Sequence, residues 1–358
     1  MSERTEPLHA IVVGGSLAGL AASLALAAAG VRITVIERAD ARPRSGGAVG
    51  VNQDHLERVT GLPPRDLHRA SSAPESWTGL HGRLRQAAEQ SPLVHLIDRT
   101  SVRDVHQSPT AVEVHAGGRT MRADLLIGAD GHRSIVRRAV APHHPDAAYA
   151  GYVLWLGIAR EDELPATEQW PDDADILDSR DAVLIGYPLE GEDGHRRPGS
   201  RRLGWAWFDP TRNDLLRRQG ALHDGVVMHS IRSTDVPERT LQELHRDATQ
   251  WPQPWRDAIR RTIRNQTVTG TPIAEYVPQK IVEGRIALTG NAAHVPTPMT
   301  GRGFDVSLDD ASALASAIQD ATPITVPSAL QQYETERLDA GRAMVRAGQS
   351  FSEWFGRH

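Results

Sequence analysis

The sequence predicts an α/β protein with an α+β second unit: a parallel-sheet domain, split along the chain, interrupted by a mixed or antiparallel sheet and closed by one long C-terminal helix. Three observations carry this. Residues 10–36 read as strand, glycine turn, helix and second strand. Six of the eight tryptophans (Trp155, Trp170, Trp205, Trp207, Trp251 and Trp255) crowd between residues 149 and 278 among strand-like runs. From Leu330 to Phe355 apolar or small residues return every three to four positions, the period of an amphipathic helix.

The chain of 358 residues is long enough for two domains, and 39% hydrophobic with 24% charged residues lies in the globular range. We place the parallel-sheet domain at 1–150 and 279–358 and the second unit at 151–278. A net charge of −5 lacks the basic footprint of a nucleic-acid or anionic-membrane binder, so a small-molecule partner is favoured. Cysteine is absent, which excludes disulfides, thiol nucleophiles, Cys-ligated zinc and iron–sulfur clusters. Lys280 is the only lysine, which argues against a Walker-type phosphate loop. The adjacent His143 and His144 have no chelating spacing, and no metal site is expected. The apolar run from Leu17 to Val31 is too short for a bilayer and starts directly after a glycine pair, so a cytoplasmic protein without a membrane segment is expected.

Ala10–Val13 forms the first strand and Gly14-Gly15-Ser16-Leu17-Ala18-Gly19 the turn. Leu20–Ala29 follows as a helix stopped by Gly30, then Val31–Ile36 as the second strand, ending at Glu37. Such a turn presents backbone N–H groups and a helix N-terminus to a pyrophosphate, and the acid holds a ribose hydroxyl. Ser16 stands where the motif's middle glycine belongs. A polar loop begins at Arg38, followed by the glycine-dense stretch 45–51, which suits backbone lying against a flat ligand. A helix is expected over 80–88, and an antiparallel meander from the runs at 94–97, 102–105, 111–115 and 119–123. Leu125–Gly128 is a buried strand whose end is a ligand-side position. In the middle third, strands are expected at 151–158, 182–187 and 202–208, with a solvated, arginine-rich hairpin loop at 188–201, and a helical stretch at 241–264. Residues 284–290 repeat the pattern of buried strand then glycine. A Pro/Gly loop at 295–303 then leads to a helix over 304–318.

Three separated motifs therefore stand in order: the Gly14–Gly19 turn with Glu37, the run Leu125 to Arg137 around Asp130-Gly131, and Gly290-Asn291-Ala292-Ala293-His294 through Pro298 to Gly303. Together they resemble the class A FAD-dependent aromatic hydroxylases, the para-hydroxybenzoate hydroxylase family. The stretches Tyr149–Trp155, Ile185–Pro188 and Trp205–Trp207 look like its 2,6-dihydroxypyridine 3-hydroxylase branch. The resemblance implies a Rossmann-like FAD domain of the glutathione-reductase type, βαβ with a β-meander. It also implies NADPH or NADH as transient co-substrate and oxygen transfer to an electron-rich ring through a flavin C4a-hydroperoxide. Monomer and homodimer both remain open. It places FAD against Gly14, Gly15, Ser16, Leu17, Ala18, Gly19, Glu37, Arg38, Ala48, Val49, Val102, Asp130, Gly131, Gly290, Asn291, Pro298, Gly301, Arg302, Gly303 and Phe304.

His294 and Pro298 are the candidate catalytic, flavin-proximal residues; the alternative for His294 is shaping the loop by hydrogen bonds. Trp155, Tyr187, Trp205 and Trp207 are the candidate substrate residues, with core packing as the alternative for the tryptophans. The sequence also departs from the family. Asn291 replaces an aspartate at the flavin ribitol, Asp305 an amide near the flavin, and Leu156 and Trp77 stand where arginines are common. Competing readings are dehydrogenation, epoxidation with rearrangement, or Baeyer–Villiger chemistry on the same flavin scaffold, a flavin-binding protein without turnover, and a plain NAD-dependent dehydrogenase.

Overall fold

The computed structural model describes residues 6–40, 47–65, 74–166, 170–179 and 182–356. The loop expected after Arg38 lies partly outside them, at 41–46.

The chain opens β1 (His9–Val13), α1 (Leu17–Ala28), β2 (Arg32–Ile36). It continues through β3 (Ala48–Gly50), α2 (Gln53–Thr60), β4 (Pro74–Ser76), α3 (Trp77–Gln90) and β5 (Val94–Ile97). A three-stranded meander follows, β6 (Val102–Gln107), β7 (Val112–Ala116) and β8 (Arg119–Ala123), then β9 (Leu125–Gly128) and α4 (Ile135–Val140). The middle of the chain supplies β10 (Ala148–Arg160), β11 (Asp175–Ser179), β12 (Ala182–Leu189), β13 (Arg202–Asp209), α5 (Asn213–Arg218) and the short strands β14 (Leu222–His223), β15 (Val226–Val227) and β16 (Ile231–Arg232). After them come α6 (Glu238–Asp247), α7 (Trp255–Arg264) and β17 (Thr269–Glu275). The last part is β18 (Val282–Glu283), β19 (Ile286–Leu288), α8 (Gly303–Ile318) and α9 (Val326–Phe355).

The first sheet runs β18-β19-β9-β1-β2-β5, parallel except for β18. β9 and β19 carry no polar side chain and β1 only His9, because the sheet is covered on both faces, by helices and by the β6–β8 meander. Gly19 is what lets α1 lie close to β1: a Cβ there would sit 1.9 Å from the Gly14 carbonyl oxygen. β19 reaches the sheet from far along the chain and pairs with β9, so the second unit is an insertion between two neighbouring strands.

The second sheet is antiparallel, with β11-β12-β13-β10 as its spine and β17 on the other side of β10. One face carries Trp155, Trp205 and Trp207 and is covered by α6 and α7. The other carries Tyr152, Leu154, Tyr187, Ala206 and Phe208, and the end of α9 packs on it through Phe351 and Phe355.

Three expectations change. Residues 94–97 belong to the parallel sheet beside β2 and not to the meander, because an apolar strand of four residues has the same local pattern in either place. The 241–264 stretch is two helices, broken at Trp251 and the prolines after it. The arginines of the 188–201 hairpin are not merely solvated: Arg201 pairs with Glu161 and lies over the Trp170 ring, and Arg196 donates to the Pro74 carbonyl.

Candidate functional site

The first glycine bend follows directly from its sequence. Gly14 has φ +109°, and a Cβ there would meet the Ala129 carbonyl oxygen at 2.4 Å, so no side chain fits. Ser16 is the N-cap of α1, yet its side chain caps nothing, so the helix's first N–H groups keep no side-chain partner there. Leu17 is buried under the helix. At the end of β2 the buried Glu37 carboxylate accepts from Gly15 N–H at 2.8 Å and from Ala39 N–H at 2.7 Å. Arg38 is exposed beside it. The buried Val102 lies just beyond Thr100, whose N–H bonds the Glu37 carbonyl.

In the second bend, Asp130 accepts from Ser134 Oγ at 2.5 Å and from Ile135 N–H at 2.6 Å, and Gly131 takes φ +82° to make the turn. Burial pushes the Asp130 carboxyl up, and the Ser134 bond pulls against it. Buried Arg137 ties this bend to the third by donating to the carbonyls of His132 and Ala292, and its guanidinium lies over the Tyr276 ring.

The third bend is held by Asp310. Its Oδ2 accepts from Gly290 N–H at 3.0 Å and pairs with His294 Nε2 at 2.7 Å, while Oδ1 accepts from Arg337 Nε at 2.9 Å. Burial alone would raise the Asp310 carboxyl; His294 and Arg337 outweigh it and hold the group below the ordinary carboxylate range. His294 is 2% exposed, and its pair with Asp310 ties the loop to α8. Pro298 is exposed and opens a short turn that Gly301 ends at φ +63°. Gly303 starts α8 without a side-chain cap, followed by buried Phe304; Arg302 and Asn291 are exposed. Asp305 turns to accept from Asn52 N–H at 3.0 Å.

These bends converge. The second touches the first at Gly14, and a Cβ on Gly290 would lie 2.6 Å from that of Ala18. One on Gly50 would lie 2.7 Å from the Gly301 carbonyl oxygen, which sets Ala48 and Val49 of β3 along the third bend.

Across from β3 stands the second sheet. The Tyr187 hydroxyl accepts from Ala48 N–H at 3.4 Å, and Leu156 also borders Gly47. Burial pushes the Tyr187 phenol up to about 12. Of the four candidate substrate residues only Tyr187 faces the bends. Trp155 donates to Asp209, Trp205 to Thr262 of α7, and Trp207 packs edge-on against Trp251, all behind the sheet. Trp205 and Trp207, two positions apart on β13, share one face with Trp155 of β10, and that face packs against helices. Tyr152, Leu154, Leu156 and Phe208, which the sequence reading did not propose as substrate contacts, lie on the opposite face from those tryptophans.

A second seam fixes β4 to the hairpin. The buried Glu190 carboxylate accepts from Ser76 Oγ at 2.5 Å, and buried Glu75 pairs with Arg65 at 2.9 Å and Arg83 at 3.0 Å. Trp77 gives no cation to the first bend; it stacks on His81, whose ring bonds the Gly15 carbonyl. Among the described residues no group of three His, Asp or Glu side chains could hold a metal, and no helix is long and apolar enough to cross a membrane.

A pyrophosphate-type turn, an acid at the second strand and an uncapped helix end together form a dinucleotide-binding site of the kind that holds FAD. A model of the FAD binding domain family matches residues 8–80 and 76–348. The chain belongs to that family. It is 26% identical over 374 residues to 2,6-dihydroxypyridine 3-monooxygenase of Paenarthrobacter nicotinovorans, covering 93% of this chain and 88% of the relative. To FAD-dependent urate hydroxylase of Klebsiella oxytoca it is 26% identical over 374 residues, covering 94% and 88%. The structure of 2,6-dihydroxypyridine-3-hydroxylase from Arthrobacter nicotinovorans superposes with a TM-score of 0.80 at 24% identity, covering 98% of this chain and 93% of that one. The chain is a flavoprotein monooxygenase.

Proposed function

We propose that this protein uses NAD(P)H and O2 to hydroxylate an electron-rich aromatic or heteroaromatic small molecule, of the size of a phenol or hydroxypyridine. One observation carries the reading: three glycine bends meet beside an apolar sheet face whose polar tip is the Tyr187 phenol. Gly14, Gly50 and Gly290 let the bends approach one another closely, with contacts to Ala129, Gly301 and Ala18 that no side chain would allow, and this convergence suits FAD. The amides of residues 15–18 and the α1 N-terminus would hold its pyrophosphate, Glu37 the adenosine ribose, and Asn291 the ribitol.

Bound there, FAD supplies electron transfer and O2 activation, for which no side-chain nucleophile is needed. This chain's part is to place the α8 N-terminus where it favours negative charge, to exclude water with Leu154, Leu156 and Met299, and to orient the ring from Tyr187. With burial lifting its pKa, Tyr187 stays protonated at neutral pH and donates to a substrate oxygen. The test is a panel of phenols and hydroxypyridines, 2,6-dihydroxypyridine among them, scored for stimulated NADPH consumption, oxygen uptake and a product heavier by one oxygen. Flavin reduction without oxygen incorporation would replace this reading with dehydrogenation.

A further inference from the structure

Behind Pro298 the structure strings four oxygen-bearing side chains from four different elements into one line. Thr297 Oγ1, just before the turn, lies 2.5 Å from the Tyr152 hydroxyl on β10. That hydroxyl is 3.4 Å from Ser352 Oγ on α9, the longest link, and Ser352 donates at 2.6 Å to Glu275 Oε1 at the end of β17.

Donor logic gives the line a direction. Ser352 spends its proton on the carboxylate, so it accepts from Tyr152. Tyr152 must then accept from Thr297, whose own lone pairs receive Met299 N–H at 3.5 Å. Every hydroxyl in the row therefore points at Glu275. Thr297 and Tyr152 are wholly buried, Ser352 nearly so, while Glu275 is half-buried at the seam between sheet and helix.

We propose that Thr297, Tyr152, Ser352 and Glu275 form a proton relay between the flavin-side loop at 297–303 and a carboxyl group that exchanges with solvent. The proposal rests on the flavin monooxygenase reading. When Glu275 is protonated the row reverses: its O–H bond breaks toward Ser352, and Ser352 and then Tyr152 each gain one proton and pass on their own. Thr297 gives up its own proton to a water molecule on the flavin side of the loop, which delivers it to the reduced flavin and O2, and Glu275, left as carboxylate, is reloaded from solvent. Reoxidation of a reduced flavin needs one such proton, since the anionic reduced flavin, O2 and a proton give oxidised flavin and hydrogen peroxide.

The surroundings suit the task. Burial raises the Glu275 carboxyl above the ordinary range, and the charge of Glu353 on α9 pushes the same way. Gln349 and Ser352 on α9 hydrogen-bond it and oppose the rise, and Tyr152 on β10 is the other titratable neighbour that bears on it. A helical side chain in place of Gly348 would overlap the Thr297 methyl at 2.2 Å, so α9 is notched where the row passes.

The test uses the FAD-loaded protein, photoreduced without substrate and mixed with oxygenated buffer from pH 5 to 9 while flavin absorbance is followed. For the wild type, reoxidation slows as Glu275 loses its proton with rising pH. Glu275→Gln, which keeps the acceptor for Ser352, and Tyr152→Phe, which keeps the ring packing, lose that pH limb. Both run about tenfold slower at the low-pH end, with FAD affinity and melting midpoint unchanged. Thr297→Ser retains the limb and Thr297→Val loses it. Wild-type rates and an intact limb in Glu275→Gln would overturn the relay, and that variant decides the matter even if Tyr152→Phe fails to fold. A protein that takes up no FAD would instead refute the flavin reading, and the relay with it.

Discussion

The two walls of the cleft are built on opposite principles. On the side of the parallel sheet, position is set by backbone: glycines bend where no side chain fits, and neighbouring bends touch through carbonyl oxygens and Cα atoms. On the antiparallel side, position is set by which side chains a strand presents, and nothing in the strands' main chain marks the face toward the cleft. A wall of backbone tolerates almost no substitution at its bends, whereas a wall of side chains can be re-lined residue by residue without moving the sheet. Under the proposed function the first wall would fix the cofactor and the second be free to set the substrate.

Breaking the backbone wall gives the largest expected effect. Gly19→Val would force a branched side chain into the Gly14 carbonyl, and we expect no folded, flavin-loaded protein, read by soluble yield and flavin absorbance. Asp310→Ala comes next, since it strands Arg337, His294 and the Gly290 N–H together. A loss of about 3–5 kcal/mol is expected in denaturant melts. The Asp310 pair also sets a pH sign. A carboxyl held below its unfolded value contributes stability above that unfolded value, and the contribution is lost as pH falls through the lower folded one. Acid melts of Asp310→Asn should accordingly fall off less steeply than those of the wild type.

The side-chain wall is sharpened by a pair of variants. Trp205→Ala should cost about 3–5 kcal/mol of stability while changing substrate preference little, because that ring packs on α7 behind the sheet. Tyr187→Phe should cost at most about 1 kcal/mol yet shift KM or kcat for phenolic substrates by several-fold. The reverse pattern would mean that the faces are assigned the wrong way round. Glu37→Ala should weaken FAD by a few-fold in fluorescence titrations, and unchanged affinity would remove Glu37 from the ribose site.

Sequence and structure meet unevenly for the same reason. Gly14, Gly19 and Gly290 were legible because a glycine at fixed spacing between a strand and a helix reports a backbone demand directly. The long helix and the apolar strands were legible from periodicity. For Trp155, Trp205 and Trp207 the sequence left pocket contact and core packing open, because alternation tells which residues share a face and is silent on what that face meets. Glu190 with Ser76, and Asp310 with His294 and Arg337, could not be found at all: their partners lie far apart in the chain, and only the folded topology brings them together.

The insertion between β9 and β19 has a further consequence, for biosynthesis. As the chain emerges, β9 takes its place beside β1 with its other edge of apolar residues 125–128 open, and that edge waits while the whole antiparallel unit is translated before β19 arrives to cover it. Such a late, long-range pairing is slow, and the open edge invites neighbouring nascent chains. Productive folding of this protein should accordingly gain from low temperature, slow translation or a chaperone that shields strand edges.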